Sequence, residues 1–165
     1  MDLTSVLATG YRLTDLTSHS QLSQETPAYA ATLTRHGTTL ATVTSHGTGG
    51  APVIRFSDPQ QRQAFEAAAA ELIAGDDVAA FLPAEEEMIS QLHLHASIAG
   101  DMDEEARTHL LVQLPEDGDF WCGGRYRAVA LRGLDRAACL TALRTKRPGL
   151  RVWDPADRAF HPAEA

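Results

Sequence analysis

Residues 28–56 read AYAATLTRHGTTLATVTSHGTGGAPVIRF, and this stretch decides the fold. In its first segment Ala28, Ala30, Thr32 and Thr34 share one face, and Tyr29, Ala31, Leu33 and Arg35 share the other. That period of two belongs to a strand, and the repeated β-branched threonines favour it further. His36-Gly37 fits a two-residue hairpin turn, because glycine supplies the positive φ that primed turns demand. Residues 38–44 return with the same alternation. A loop, Ser45-His46-Gly47-Thr48-Gly49-Gly50-Ala51-Pro52, then leads to a short strand at 53–56, with Val53 and Ile54 expected in the core.

Upstream, residues 11–16 show an imperfect alternation suited to an edge strand, and a polar segment follows to Pro27. Downstream, Asp58-Pro59 is a helix-start signal, with Asp58 as cap and Pro59 at the first helical position. The spacing of Phe65, Ala69, Leu72 and Ile73 predicts a helix over 59–74, closed by Gly75. A linker over 76–83 tucks in Val78, Phe81 and Leu82. A second helix over 84–99 carries Glu85, Glu86 and Glu87 in its first turn, buries Met88, Ile89, Leu92, Ala96 and Ala99, and stops at Gly100. Residues 101–106 are read as loop or one more helical turn.

Two further strands fall at 108–114 and 126–131, separated by the turn-forming residues Pro115 to Asp119. Asp135 caps a third helix, running to about Arg147, with Ala138, Cys139, Leu140 and Leu143 inward. A last strand occupies 150–153, and residues 154–165 are expected to fray. The fold class is therefore α+β: one domain over 1–165, with a largely antiparallel sheet of five to six strands and about three helices packed on it.

The net charge is −8, unevenly spread. From Asp58 to Asp119 fifteen acidic residues stand against Arg62 and Arg107, whereas from Phe120 onward nine basic residues stand against four acidic ones. Either the two regions pair internally, or the basic one presents a face to an anionic partner. No apolar run approaches the roughly 20 residues that span a bilayer, and the start lacks a secretory pattern, so a cytoplasmic protein with no membrane role is expected. Cys122 and Cys139 form no CxxC and read as reduced thiols.

Around the central stretch, Glu25-Thr26, Tyr29, His36-Gly37 and the Ser45–Gly50 loop resemble a family of small uncharacterised proteins of bacteria, phages and plasmids. Its members carry ET-x-x-F/Y-x-A-x-L, a D-G-K turn and an N-D-G-H-G-G loop. The resemblance implies the fold and a mobile-element origin, and no activity. This chain has Ser45-His46 for the family's Asn-Asp pair and Thr48 for its loop histidine, so roles of those side chains do not carry over.

Candidate sites are few. Gly47, Gly49 and Gly50, flanked by His46 and Thr48 with Glu25 near, form either a structural turn or a backbone nest for an anion. Arg144, Lys146, Arg147 and Arg151 form the one basic cluster, suited to phosphate contacts, with Trp153 or Tyr126 available for stacking. His93 and His95 point apart on a helix, His95 at the border of the core and His93 in water, so no metal ligand set is expected there. No cofactor fingerprint, G-x-S-x-G or H-E-x-x-H occurs, and an enzyme is not the favoured reading. That leaves a non-enzymatic binding or regulatory protein, acting on protein or nucleic acid. The alternatives are a small-ligand binder or enzyme using the glycine loop, and an assembly protein or homo-oligomer pairing through the edge at 11–16.

Overall fold

Threonine-rich alternation with glycine at the reversal builds the expected hairpin. In the computed structural model, which describes residues 1–74 and 83–163, β1 is Tyr11–Ser18, β2 Ala28–Arg35, β3 Thr38–His46 and β4 Val53–Phe56. Arg35 faces Thr38 across the β2–β3 turn, where His36 and Gly37 take φ of 48° and 80°. Positive φ at both positions matches the turn's twist to that of its strands. A bulge beside Leu33 lets the consecutive Leu40 and Ala41 both reach the core. The four strands pair antiparallel in chain order, with β1 and β4 at the edges. Ile54 and Phe56 pack inward, but Val53 is 41% exposed, which corrects its expected burial. Adjacent residues of a strand face opposite ways, so Val53 and Ile54 cannot share the core.

Helices cover the inner face of this sheet. The first, α1 (Leu3–Ala8), was not foreseen; Asp2 caps it by accepting from the Ser5 amide. In α2 (Pro59–Ile73) Asp58 accepts from the Gln60 amide at 2.8 Å, and Phe65 and Ala69 are buried. Phe65 meets Tyr11 edge to face at 5.2 Å between centroids. The stop at Gly75 and the inward Val78, Phe81 and Leu82 lie outside the described residues. Met88, Ile89, Leu92 and Ala96 of α3 (Ala84–Glu105) complete this core.

Gly100 does not end α3. It is not among the glycines with positive φ, and Met102 and Ala106 extend the apolar stripe beyond it. Burying that stripe outweighs the modest helix cost of one glycine, about 1 kcal/mol.

The chain forms two compact units, Met1–Ser97 and Ile98–Ala165, the division falling inside α3. The second holds β5 (His109–Gln113), β6 (Arg127–Ala130), α4 (Arg136–Lys146), β7 (Arg151–Asp154) and β8 (Ala159–Pro162). Its strands pair antiparallel in the order β6-β5-β7-β8. The α+β class with antiparallel pairing is as read from the sequence. Instead of one sheet of five to six strands, however, the described residues form two sheets of four.

In the second unit both faces of the central strand are covered. Leu111 packs with Met102, Ala106, Trp153 and an aromatic group of Phe120, Trp121, Tyr126 and Phe160. Leu110 and Val112 pack with Leu140, Leu143 and Cys139 of α4, whose Asp135 cap accepts from the Ala138 amide; Ala138 itself is exposed. The expected frayed tail contains β8, where Phe160 pairs with Trp153. No helix among the described residues is long and apolar enough to cross a membrane.

Candidate functional site

The glycine loop is first of all a clasp. The Gly47 carbonyl accepts from the amides of Gln24, Glu25 and Thr26 at 2.9, 3.0 and 3.4 Å, tying the polar segment to the end of β3. Gly47 has φ of 78°, and a Cβ there would lie 2.5 Å from the Leu22 carbonyl oxygen, so glycine is required twice over. The Gly49 amide donates to the Thr26 hydroxyl at 3.3 Å, and the Glu25 carboxylate packs directly over Gly49. Neither leaves room for an anion-binding nest. One of the amides it would use already has a partner, and a carboxylate stands on the loop.

Behind the clasp lies a cavity of about 300 Å³ in the first unit. Gly49, Gly50, Ala51 and Pro52 form one wall, the strand residues Tyr29 and Ser45 the floor, and Glu86, Ser90 and His93 of α3 the other wall. The Ser45 hydroxyl donates to the Pro27 carbonyl at 2.7 Å and is thereby fixed. The His93 ring stacks on Tyr29 at 4.1 Å between centroids with a 26° tilt. Burial pushes the His93 imidazole below its ordinary value and the Tyr29 phenol up to about 12, so both are neutral around pH 7. Glu86 is half-buried, and among the described residues its carboxylate has no ion-pair or hydrogen-bond partner.

Of the loop residues singled out in the sequence, Gly49 and Gly50 line this cavity. His46 and Thr48 are exposed and are not part of its lining, and Glu25 acts through Gly49. His93 is half-buried against Tyr29 rather than in water, and His95 is 2% exposed. Glu86, Ser90 and His93 were missed as a set, although spacings of four and three place them on one helical face. The run Glu85 to Glu87 hid Glu86 among ordinary helix-start charge.

Arg144 and Lys146 lie in the last turn of α4, Arg147 caps it and Arg151 begins β7. The aromatic residues expected to stack on bases are otherwise engaged. Trp153 is 2% exposed, and its indole Nε1–H donates to Asp103 at 2.9 Å; the Tyr126 hydroxyl donates to Glu105 at 2.8 Å. The edge strand β1 is interrupted too, with a bulge between Thr14 and Thr17 and Asp15 at φ of 52°, irregularities that disfavour pairing with another sheet. Asp154, Asp157 and His161 offer ligand atoms within 4.8 Å of one another, a grouping the sequence reading did not find. All three are exposed, and His161 pairs with Asp157. No family model, curated protein or solved structure matches the chain.

Proposed function

We propose that the chain is a cytoplasmic, non-enzymatic binding protein that takes a small, hydrogen-bond-donating ligand, neutral or cationic, in the cavity between the glycine loop and α3. The observation that carries this reading is the set Glu86, Ser90 and His93 opening on one cavity that no lysine or arginine lines. A half-buried carboxylate with no partner among the described residues favours a ligand that brings a donor or a positive charge. Neutral His93 adds one acceptor or donor, according to tautomer, and the prolines and Tyr29 supply apolar wall. The volume of about 300 Å³ lies at the small end of the range of small-molecule sites. Kinship with the phage and plasmid family remains part of the proposal and adds no activity to it.

Thermal shift with primary amines and small amides as probes tests the reading. A ligand at a hundredfold excess over its Kd adds about 2.7 kcal/mol to stability, readily seen as a higher Tm. Glu86→Gln keeps shape and removes charge, so it abolishes the amine response while leaving the unliganded Tm near that of the parent. An equal amine response in Glu86→Gln, or none in the parent protein, overturns the proposal.

A further inference from the structure

The second unit has a larger concavity of its own, about 800 Å³, walled by Arg107, Arg136 and Arg144. Its charges are unequally satisfied. Asp103, on the same wall, accepts from the Trp153 indole and pairs with Arg158 at 3.3 Å. Asp157 pairs with His161, and Asp154 accepts from the Ala156 amide. Among the described residues neither Arg107 nor Arg144 pairs with a carboxylate. Arg136 spends one terminal nitrogen on two neutral carbonyls, those of Ala106 at 2.8 Å and His109 at 3.2 Å. Arg144 Nε is shielded from solvent and meets no acceptor.

The enclosed Nε lies out of reach of a ligand, but guanidiniums that line a hollow and lack a carboxylate partner among the described residues are suited to an oxyanion. Three guanidiniums beside one hollow offer more donors than a single carboxylate can use, whereas a phosphate group has three terminal oxygens to receive them. The rest of the lining includes the aliphatic side chains of Leu140 and Val152 with Pro155 and Pro162, a surface for the remainder of an organic molecule. The volume exceeds what an inorganic ion fills and lies in the range of small-molecule sites.

We infer that this cleft binds a small organic phosphate, its phosphoryl group held by Arg107, Arg136 and Arg144. A nucleic-acid strand fits less well. Lys146, Arg147 and Arg151, the further cations that a run of phosphates would need, do not line the cleft. The site lies wholly in the second unit and is independent of the cavity proposed above.

Calorimetric titration of the full chain with glycerol phosphate, inorganic phosphate and a single-stranded oligonucleotide tests the inference. Glycerol phosphate binds, inorganic phosphate binds more weakly, and Arg144→Gln weakens the monoester about tenfold or more. Arg107 is exposed, so Arg107→Gln keeps the test intact should Arg144→Gln fail to fold, and it weakens binding in the same direction. Lys146→Gln with Arg147→Gln leaves monoester binding unchanged. Three results overturn the inference: no heat from the monoester at about 10 mM in low salt, equal affinity in Arg107→Gln and the parent, or oligonucleotide binding that depends on Lys146 and Arg147 while the monoester does not bind.

Discussion

Both units are built on four antiparallel strands, but they hold those strands in different ways. In the first, strand order follows chain order and the buried side chains of the sheet pack on helices. In the second, β7 returns after a helix to lie beside β5, and the central strand is buried on both faces. One-sided burial writes an alternating pattern into the sequence, while two-sided burial erases it. The His109–Gln113 segment HLLVQ shows the result, with four consecutive residues buried and no polar face left to read.

The sharpest test of two cores is a pair of truncations. Phe65→Ala and Trp153→Ala each remove a large ring less than 3% exposed, at a cost of about 3–5 kcal/mol. Hydrogen exchange then separates them. Phe65→Ala lowers protection chiefly in β2 and β3, and Trp153→Ala chiefly in β5 and β7. Uniform loss across both sheets in either variant breaks the comparison.

Glycines give a second, smaller contrast within the first unit. Gly37 and Gly47 have nearly the same φ, 80° and 78°. A Cβ on Gly37 meets nothing within 4 Å, so Gly37→Ala costs only the left-handed conformation, about 1–2 kcal/mol. On Gly47 it would lie 2.5 Å from the Leu22 carbonyl and 2.9 Å from Ala28 Cβ. Gly47→Ala therefore costs about 1–3 kcal/mol more, the range for overpacking. Equal denaturation midpoints for the two variants would mean that the polar segment is not clasped.

These positions also show how far the sequence could be read. The hairpin, the Asp58 and Asp135 caps and the strands on either side of Pro115–Asp119 rest on local chemistry and stand where that chemistry puts them. Two of the failures depended on distant partners. Gly100 read as a stop because the pull of Met102 and Ala106 on the helix comes from residues far along the chain. Residues 154–165 read as a tail because Phe160 gains its value only opposite Trp153. Among the candidate residues, the loop glycines were visible, but Glu86, Ser90 and His93 come to line one cavity only once the strand bearing Tyr29 is laid against α3.

In the second unit a single buried polar side chain, Gln113, can be tested by one substitution. Gln113 is 2% exposed, and its amide nitrogen donates to the carbonyls of Gly118 at 2.6 Å and Arg125 at 3.3 Å, tying two points of the β5–β6 connection together. Gln113→Leu keeps approximate volume and leaves those carbonyls unsatisfied, so urea denaturation shows a loss of about 1–3 kcal/mol. A neutral result would put the connection's order in its turns instead.

Acid separates the two units by sign and by window. His93 is held below its ordinary 6.5 by burial, so as pH falls past 6.5 the unfolded chain takes up a proton that the folded chain refuses. The contribution of neutral His93 to the first unit's stability is thus complete above about pH 6.5 and is lost as pH drops toward the lowered folded value. In the second unit Asp117 is held below its ordinary 3.8 by its bond from Arg127 and then by the Leu114 amide. That contribution is intact above about pH 3.8 and fades only below it. Between about pH 6.5 and 4, exchange protection should therefore fall in β2 and β3 while β5 and β6 hold, and His93→Gln should flatten the first slope alone. An unchanged slope in His93→Gln would assign the acid sensitivity to another group and detach it from the Tyr29 stack.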